Sequence, residues 1–147
     1  MLSQTSIHAI KALTHLAARN ETKPIGSAQL ASEIDAPANY LGKTLKLLTL
    51  AGLLQSQRGL GGGLKLAKSP ESISLFDIVE PIEHVSQKTH CFMGKICCGP
   101  QPCSLHPRWA RLHGDFIGFL KEVTLKDLVK EYQIRPALNQ FLKDEMR

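Results

Sequence analysis

Apolar residues recur at helical spacing over the first eighteen positions, where Ile7, Ile10, Leu13 and Ala17 share a stripe with Ala9 and Leu16 beside it. Polar Gln4, His8, Lys11 and His15 interrupt the run, so the segment predicts an amphipathic helix over 5–18, closing at Asn20, and not a secretory leader. His8 and His15 read as surface or partly buried side chains rather than as a ligand pair. After a turn at Pro24 the pattern resumes in AQLASEI, with Ser27 as the expected N-cap and Leu30, Ala31 and Ile34 facing inward. Asp35, Ala36 and Pro37 break that helix. A second one is expected from Asn39 to Ala51, with Leu41, Leu45 and Leu48 in one narrow arc and Asn39, Lys43 and Lys46 opposite them. A short helix, a tight turn and a longer helix with a cationic outer face form the helix-turn-helix pattern, whose second helix enters the major groove of DNA.

Gly52 is placed as a helix C-cap residue would be, and LLQSQ and LKLAK follow as two strands joined by RGLGGG. The glycine-rich tip has no strand-loop-helix context and no Lys-Ser/Thr pair after it, which argues against a phosphate loop. Beside Arg58 it suits a wing laid against DNA, with the guanidinium in a narrow minor groove. Ser74-x-x-Asp77 predicts a capping box for one more helix, which Pro81 is expected to bend or end. Residues 84–104 have neither period, and Gly94, Gly99, Pro100 and Pro102 disfavour a helix. From there Leu105, Trp109, Leu112, Phe116, Phe119 and Val123 are spaced 4, 3, 4, 3, 4, a coiled-coil-like seam widened by Ile117 and Leu120. Such a long helix packs on a partner helix, within the chain or across a two-fold dimer. Thr124-x-x-Asp127 caps LKDLVKEY, and the tail from Pro136 reads as a last amphipathic turn or two.

With 147 residues and 43% apolar content, the chain has enough material for one compact core and no disorder signature. It lacks the run of about 18 apolar residues that would cross a membrane. Charge sharpens the helix-turn-helix reading. Residues 1–70 carry eight Lys/Arg against three acidic residues, and residues 71–147 carry ten of each sign, so the whole net charge of +5 lies in the half that would face a polyanion.

All four cysteines fall within Cys91 to Cys103, in CFMGKICCGPQPCSLH, too close together for a disulfide framework that ties distant segments. A reducing cytoplasm is the default location. Cys91, Cys97, Cys103 and His106, spaced x(5), x(5), x(2), make a tetradentate set, with Cys98 as an extra thiol. Three chemistries compete here. Structural zinc accepts three cysteines and a histidine but prefers Cys-x(2–4)-Cys knuckles; a thiol switch can join Cys91 to Cys103; an iron–sulfur cluster suits widely spaced thiolates in a glycine-rich loop.

The stretch NYLGKTLKLLTLAGLLQSQRGLGGGLKLAKSPESISLFDIVEPIE, followed by the Cys91, Cys97, Cys103, His106 spacing and Trp109, resembles the Rrf-type bacterial transcription regulators, closest to their iron–sulfur cluster branch. The resemblance runs from the first helix to TLKDLV. It implies a homodimer in which the state of a cluster controls DNA binding. Cys91, Cys97 and Cys103 match the family's three cysteines, and His106 matches the histidine ligand of that branch, which implies a 2Fe–2S cluster. Nitric-oxide-sensing relatives hold a 4Fe–4S cluster, some with an acidic ligand from the partner's first helix, where this chain has Ile7. Arg58 matches the wing arginine. Gly42 stands where the branch has a glutamate that screens its DNA target, and Cys98 lies outside the pattern.

The expected fold is therefore mainly α with a small β-hairpin wing, a winged helix-turn-helix plus a long dimerisation helix. Residues 1–83 would bind DNA, 84–104 would form the cluster loop, and 105–147 would hold the dimerisation and C-terminal helices. Expected DNA contacts come from Asn39, Tyr40, Lys43, Lys46 and Arg58. The partners are a double-stranded DNA operator and a second copy of the chain, without a membrane or a small-molecule substrate. No constellation of base, acid and oxyanion donors suggests an enzyme. The alternative is a zinc-stabilised or thiol-redox-switched DNA-binding regulator.

Overall fold

The computed structural model describes residues 2–19, 23–87, 92 and 103–134. Its helices are α1 (Gln4–Ala18), α2 (Ser27–Glu33), α3 (Ala38–Leu50), α4 (Leu75–Glu83), α5 (Leu105–Glu122) and α6 (Leu125–Ile134). Between α3 and α4 lie two antiparallel strands, β1 (Leu54–Gln57) and β2 (Gly63–Leu66). The chain is mainly α with one hairpin, in helix, helix-turn-helix, wing order. The expected closure of α1 at Asn20 and the tail from Pro136 lie outside the described residues.

Ser3 caps α1 by accepting from the Ser6 N–H at 3.2 Å, and the helix buries Ala9, Ala12 and Leu13 completely. The N-cap of α2 is Gly26, one residue earlier than the expected Ser27, and it makes no side-chain cap. The reason lies upstream: Ile25 is held extended by an antiparallel bridge to Leu64, so the chain passes from strand to helix at Gly26 and Ser27 becomes the first helical residue. Asp35 takes a left-handed φ of 59° in the turn before α3, a conformation that short polar side chains tolerate. At the far end Gly52 has φ 77°, and the Leu53 N–H reaches back to the Leu48 carbonyl at 3.0 Å, the six-to-one bond of a Schellman cap.

The hairpin register runs from Leu54 paired with Leu66 to Gln57 paired with Gly63, and Ile25 adds a further rung on the other side of β2 through bonds of 3.0 and 2.8 Å with Leu64. Leu53, Leu54 and Leu64 seat the wing on the core. Gly63 has φ 151°, and a Cβ there would lie 2.5 Å from the Ile25 backbone. Gly63→Ala is accordingly expected to lose the Ile25 rung and about 1–3 kcal/mol of stability, measured by urea unfolding. A change under about 0.5 kcal/mol, within the range of neutral surface substitutions, would show that the rung contributes little.

The capping box of α4 forms as expected, with the Asp77 N–H donating to Ser74 Oγ at 3.1 Å and the Ser74 N–H donating to Asp77 at 2.8 Å. Pro81 does not end α4, which runs on to Glu83 and stops at His84 with φ 50°. So near the C-terminus, the missing proline N–H costs a single helical bond. The second box, Thr124 with Asp127, opens α6. The two box residues pair with each other: Ser74 bridges Thr124, and the Leu75 and Leu125 N–H groups donate to Val123 and Ile73 at 2.9 and 2.8 Å. Leu120 and Leu125 thereby join the same buried cluster as Leu13, Leu41 and Leu48. Both α4 and α6 pack along α1.

The seam of α5 is divided. His113 and Leu120 are buried and Trp109 and Phe116 half-buried, whereas Leu105, Leu112 and Phe119 are exposed, one on every second turn. Val123, expected at the end of the seam, is instead the extended C-cap residue. No helix of the described residues is long and apolar enough to cross a membrane.

Candidate nucleic-acid interface and metal centre

The amphipathic pattern of α3 is realised in space. Leu41, Leu45 and Leu48 are buried against the core, and Asn39, Tyr40, Lys43 and Lys46 all face solvent. The same outer surface carries two residues that the sequence reading passed over, Leu47 and the 77% exposed Leu50. They continue the i, i+3, i+7 row from Tyr40 and Lys43, which was the available signal.

Two polar links orient this helix pair on α1. The Tyr40 hydroxyl hydrogen-bonds to the Thr5 hydroxyl of α1. On α2, the Glu33 carboxylate accepts from Gln29 at 2.8 Å and from Arg19 at 3.0 Å, and pairs with His15 Nε2 at 2.5 Å. These bonds, the Gln29 amide first and His15 next, hold the Glu33 carboxyl below the usual range, so it stays ionised. His15 thus spends its ring on Glu33 rather than on His8. Partial burial, with Lys11 nearby, lowers the pKa of His8 and favours its neutral form. Nothing in the local sequence announces Thr5 or Glu33, since both meet partners across the fold.

The wing projects Arg58 into solvent, with Lys65 and Lys68 exposed on its second arm. Lys43, Lys46 and Arg58, the expected DNA contacts, lie on the second helix of the helix-turn-helix and on the wing.

Of the expected metal ligands, Cys91 and Cys97 lie outside the described residues, as does Cys98. Cys103 is exposed just before α5, and His106 lies in its first turn, where its N–H donates to the Cys103 carbonyl at 3.0 Å. No group of three or more His, Cys, Asp or Glu side chains able to hold a metal is assembled among the described residues. A thiol and an imidazole three residues apart at one helix start do fit half of a four-donor set. Phe92, beside Cys91, meets the Trp109 ring edge-on at 5.4 Å between centroids, and Trp109 meets His113 at 5.7 Å. His113 is buried and donates Nε2–H to the Val85 carbonyl at 3.0 Å, which fixes its tautomer. The buried Trp109 indole N–H finds no acceptor among the described residues. Val85 lies two residues past the end of α4, so Phe92, Trp109, His113 and Val85 form a chain of contacts from the sequence neighbour of Cys91 to the winged helix.

Comparison with known proteins places these features. A family model described as Rrf2, iron-dependent transcriptional regulator, matches residues 2–131. Curated relatives include the HTH-type transcriptional regulator IscR of Klebsiella pneumoniae (strain 342), 29% identical over 90% of this chain and 82% of that protein. The regulator of the same name from Escherichia coli O1:K1 / APEC is 28% identical over the same shares. Among solved structures, T. potens IscR superposes with a TM-score of 0.75 at 23% identity, covering 90% of this chain and 88% of its own. Staphylococcus aureus CymR in its oxidized form gives a TM-score of 0.70 at 26% identity, covering 88% and 95%. The fold is shared with these regulators over about nine-tenths of the chain, and the family consists of transcriptional regulators rather than enzymes. The chain belongs to the Rrf2 family of iron-dependent transcriptional regulators.

Proposed function

We propose that the chain acts as a cytoplasmic homodimer whose binding to a double-stranded DNA operator is set by an iron–sulfur cluster held by Cys91, Cys97, Cys103 and His106. The observation that carries this reading is the aromatic and hydrogen-bonded path from Phe92 through Trp109 and His113 to Val85, which starts at the sequence neighbour of Cys91 and ends just past α4. A bound cluster supplies a one-electron couple whose charge changes with redox state, and a histidine ligand raises its potential. The chain's own residues do the rest. Cys103 and His106 would fix the donor set at the first turn of α5, and His113, with Trp109 tilted against it, joins that helix to Val85 just past α4. Thr5, bonded to Tyr40, passes the position of α1 to the recognition helix.

In the DNA complex, Lys43 and Lys46 would contact phosphates and so set the salt dependence, Asn39 and Tyr40 would meet base edges or phosphates at the start of the recognition helix, and Arg58 would enter the minor groove. The exposed Leu105, Leu112 and Phe119 on α5 would form the dimer seam, which brings two recognition helices onto successive turns of one duplex face. A 2Fe–2S form accords with a histidine ligand; a 4Fe–4S form, with one donor to each iron, could use the same four residues.

A thiol-switched reading has one observation in its favour, the likeness to a CymR solved in an oxidized form, together with the exposed Cys103 thiol. Anaerobic purification with metal analysis decides among the readings. A red-brown protein with roughly two irons per chain is expected, and His106→Ala should shift its visible spectrum and potential. Colourless anaerobic protein with one zinc, or metal-free protein whose DNA affinity follows a Cys91–Cys103 disulfide, would sink the cluster reading.

A further inference from the structure

The wing tip carries a feature that the assigned contacts leave unused. Between Arg58 and Leu64 the sequence has four glycines and one side chain, Leu60, whose relative exposure of 110% is the highest among the exposed large apolar side chains. A lone exposed leucine is ordinary on a surface. This one stands on a backbone built to hold it out. Gly59 and Gly61, its neighbours, have φ of 98° and 75°, and the Gly62 N–H closes the turn onto the Gly59 carbonyl at 3.0 Å. A Cβ on Gly62 would lie 2.2 Å from the Gln57 carbonyl oxygen, and the base of the wing is pinned at Gly63 against Ile25. The tip is thus a slender, conformationally restricted turn with a single apolar side chain at its apex and a guanidinium two residues away.

We propose that Leu60 enters the DNA minor groove beside Arg58 as an apolar contact that selects A·T over G·C base pairs there; the proposal rests on the DNA-binding reading above. The duplex is the fitting occupant because the wing is cationic, with Arg58, Lys65 and Lys68 all exposed and no acidic residue between Leu54 and Pro70. A turn of glycines also suits a groove only about 6 Å wide. Leucine discriminates by what it lacks. A G·C pair places the guanine N2 amino donor on the minor-groove floor, where an A·T pair has none, and Leu60 offers that donor no acceptor. Pressing the side chain against guanine buries an unpaired N–H; against A·T it buries an apolar C–H edge.

The test uses the full chain, purified anaerobically, and a randomised duplex pool. Wild type, Leu60→Ala and Arg58→Ala are each carried through selection, and hydroxyl-radical protection locates the minor-groove positions on the enriched site. Affinity is then read with each of those A·T pairs changed to G·C or to inosine·C, which lacks the N2 amino group. For wild type, G·C is expected to weaken binding roughly tenfold at one position per half-site, with inosine·C restoring most of it. In Leu60→Ala the G·C penalty should vanish while the salt slope stays the same. Arg58→Ala should instead weaken all sequences and lower the salt slope by about one. An unchanged G·C penalty in Leu60→Ala, or inosine·C as damaging as G·C, overturns the role of Leu60 while leaving the DNA-binding reading intact. A wild-type chain that enriches no sequence overturns both. Leu60 touches no part of the core, so its replacement leaves folding unaffected, which a thermal melt confirms.

Discussion

Replacing Leu112 and Phe119 together by glutamate is expected to turn the proposed dimer into a monomer and to weaken its proposed operator binding by roughly two to four powers of ten. The two side chains are 62% and 53% exposed and lie seven residues apart on the outer stripe of α5, so they contribute little to the fold of one chain. Two charges at that seam would place carboxylates against their own copies across a two-fold axis. The loss of affinity follows because each half-site would then be bound alone, without the gain from joining two weak contacts on one DNA face. Sedimentation and circular dichroism check the two halves of this expectation: a smaller species with unchanged helix content. Leu120→Glu supplies the contrast, since that side chain is completely buried and its replacement should unfold the chain. If the double variant sediments as a dimer, the seam lies elsewhere.

Glu83→Ala is expected to cost about 2–3 kcal/mol. A single carboxylate oxygen of Glu83, at the C-terminal end of α4, accepts from the Ser3 N–H at 2.7 Å, the Ser3 hydroxyl at 2.8 Å and the Ser6 hydroxyl at 2.6 Å. Ser6 is fully buried, so truncation at Glu83 would strand its hydroxyl away from water. A carboxylate at a helix N-terminus also meets the positive end of the α1 dipole. The corresponding fall in Tm is about 5–10 °C for a chain of this size. Glu83→Gln keeps an acceptor while removing the charge and should lose less than half as much. A melt within about 1 °C of wild type, less than a surface substitution commonly produces, would show that water replaces the carboxylate without penalty.

Local patterns made much of this architecture legible. The opposed arcs of α3, Leu41, Leu45 and Leu48 against Lys43 and Lys46, translate directly into a buried face and an exposed one, because helical period alone decides them. Both capping boxes formed at the expected residues, since each involves groups only three apart. What was hidden is non-local. The Ile25 rung is one residue between Pro24 and Gly26, too short to show a strand period, and it displaced the expected cap at Ser27. The clamp of Glu83 on Ser3 and Ser6 spans almost eighty positions of sequence, and the hydrogen bond between Thr5 and Tyr40 spans 35. The α5 seam was legible as apolar, but its division into a half facing the core and a half facing outward depends on how α4 packs. Of the proposed metal ligands, the described residues include Cys103 and His106, and the rest of the donor set stands on spacing and family likeness.

The pairing of the two helix starts, Ser74 with Thr124, governs how the protein emerges from a ribosome. The inner face of α1, with Ala9 and Leu13, is covered by α4 and also by α6, more than a hundred residues later. During synthesis the first helix therefore waits with part of its apolar face uncovered until Leu125 and the turns after it have been made. Such late closure slows folding and lengthens the time in which a nascent chain can associate wrongly. Helix α3, bonded to α1 through Thr5, belongs to the same core that this last cover completes. A product truncated before Leu125 would leave that apolar face of α1 without its α6 cover.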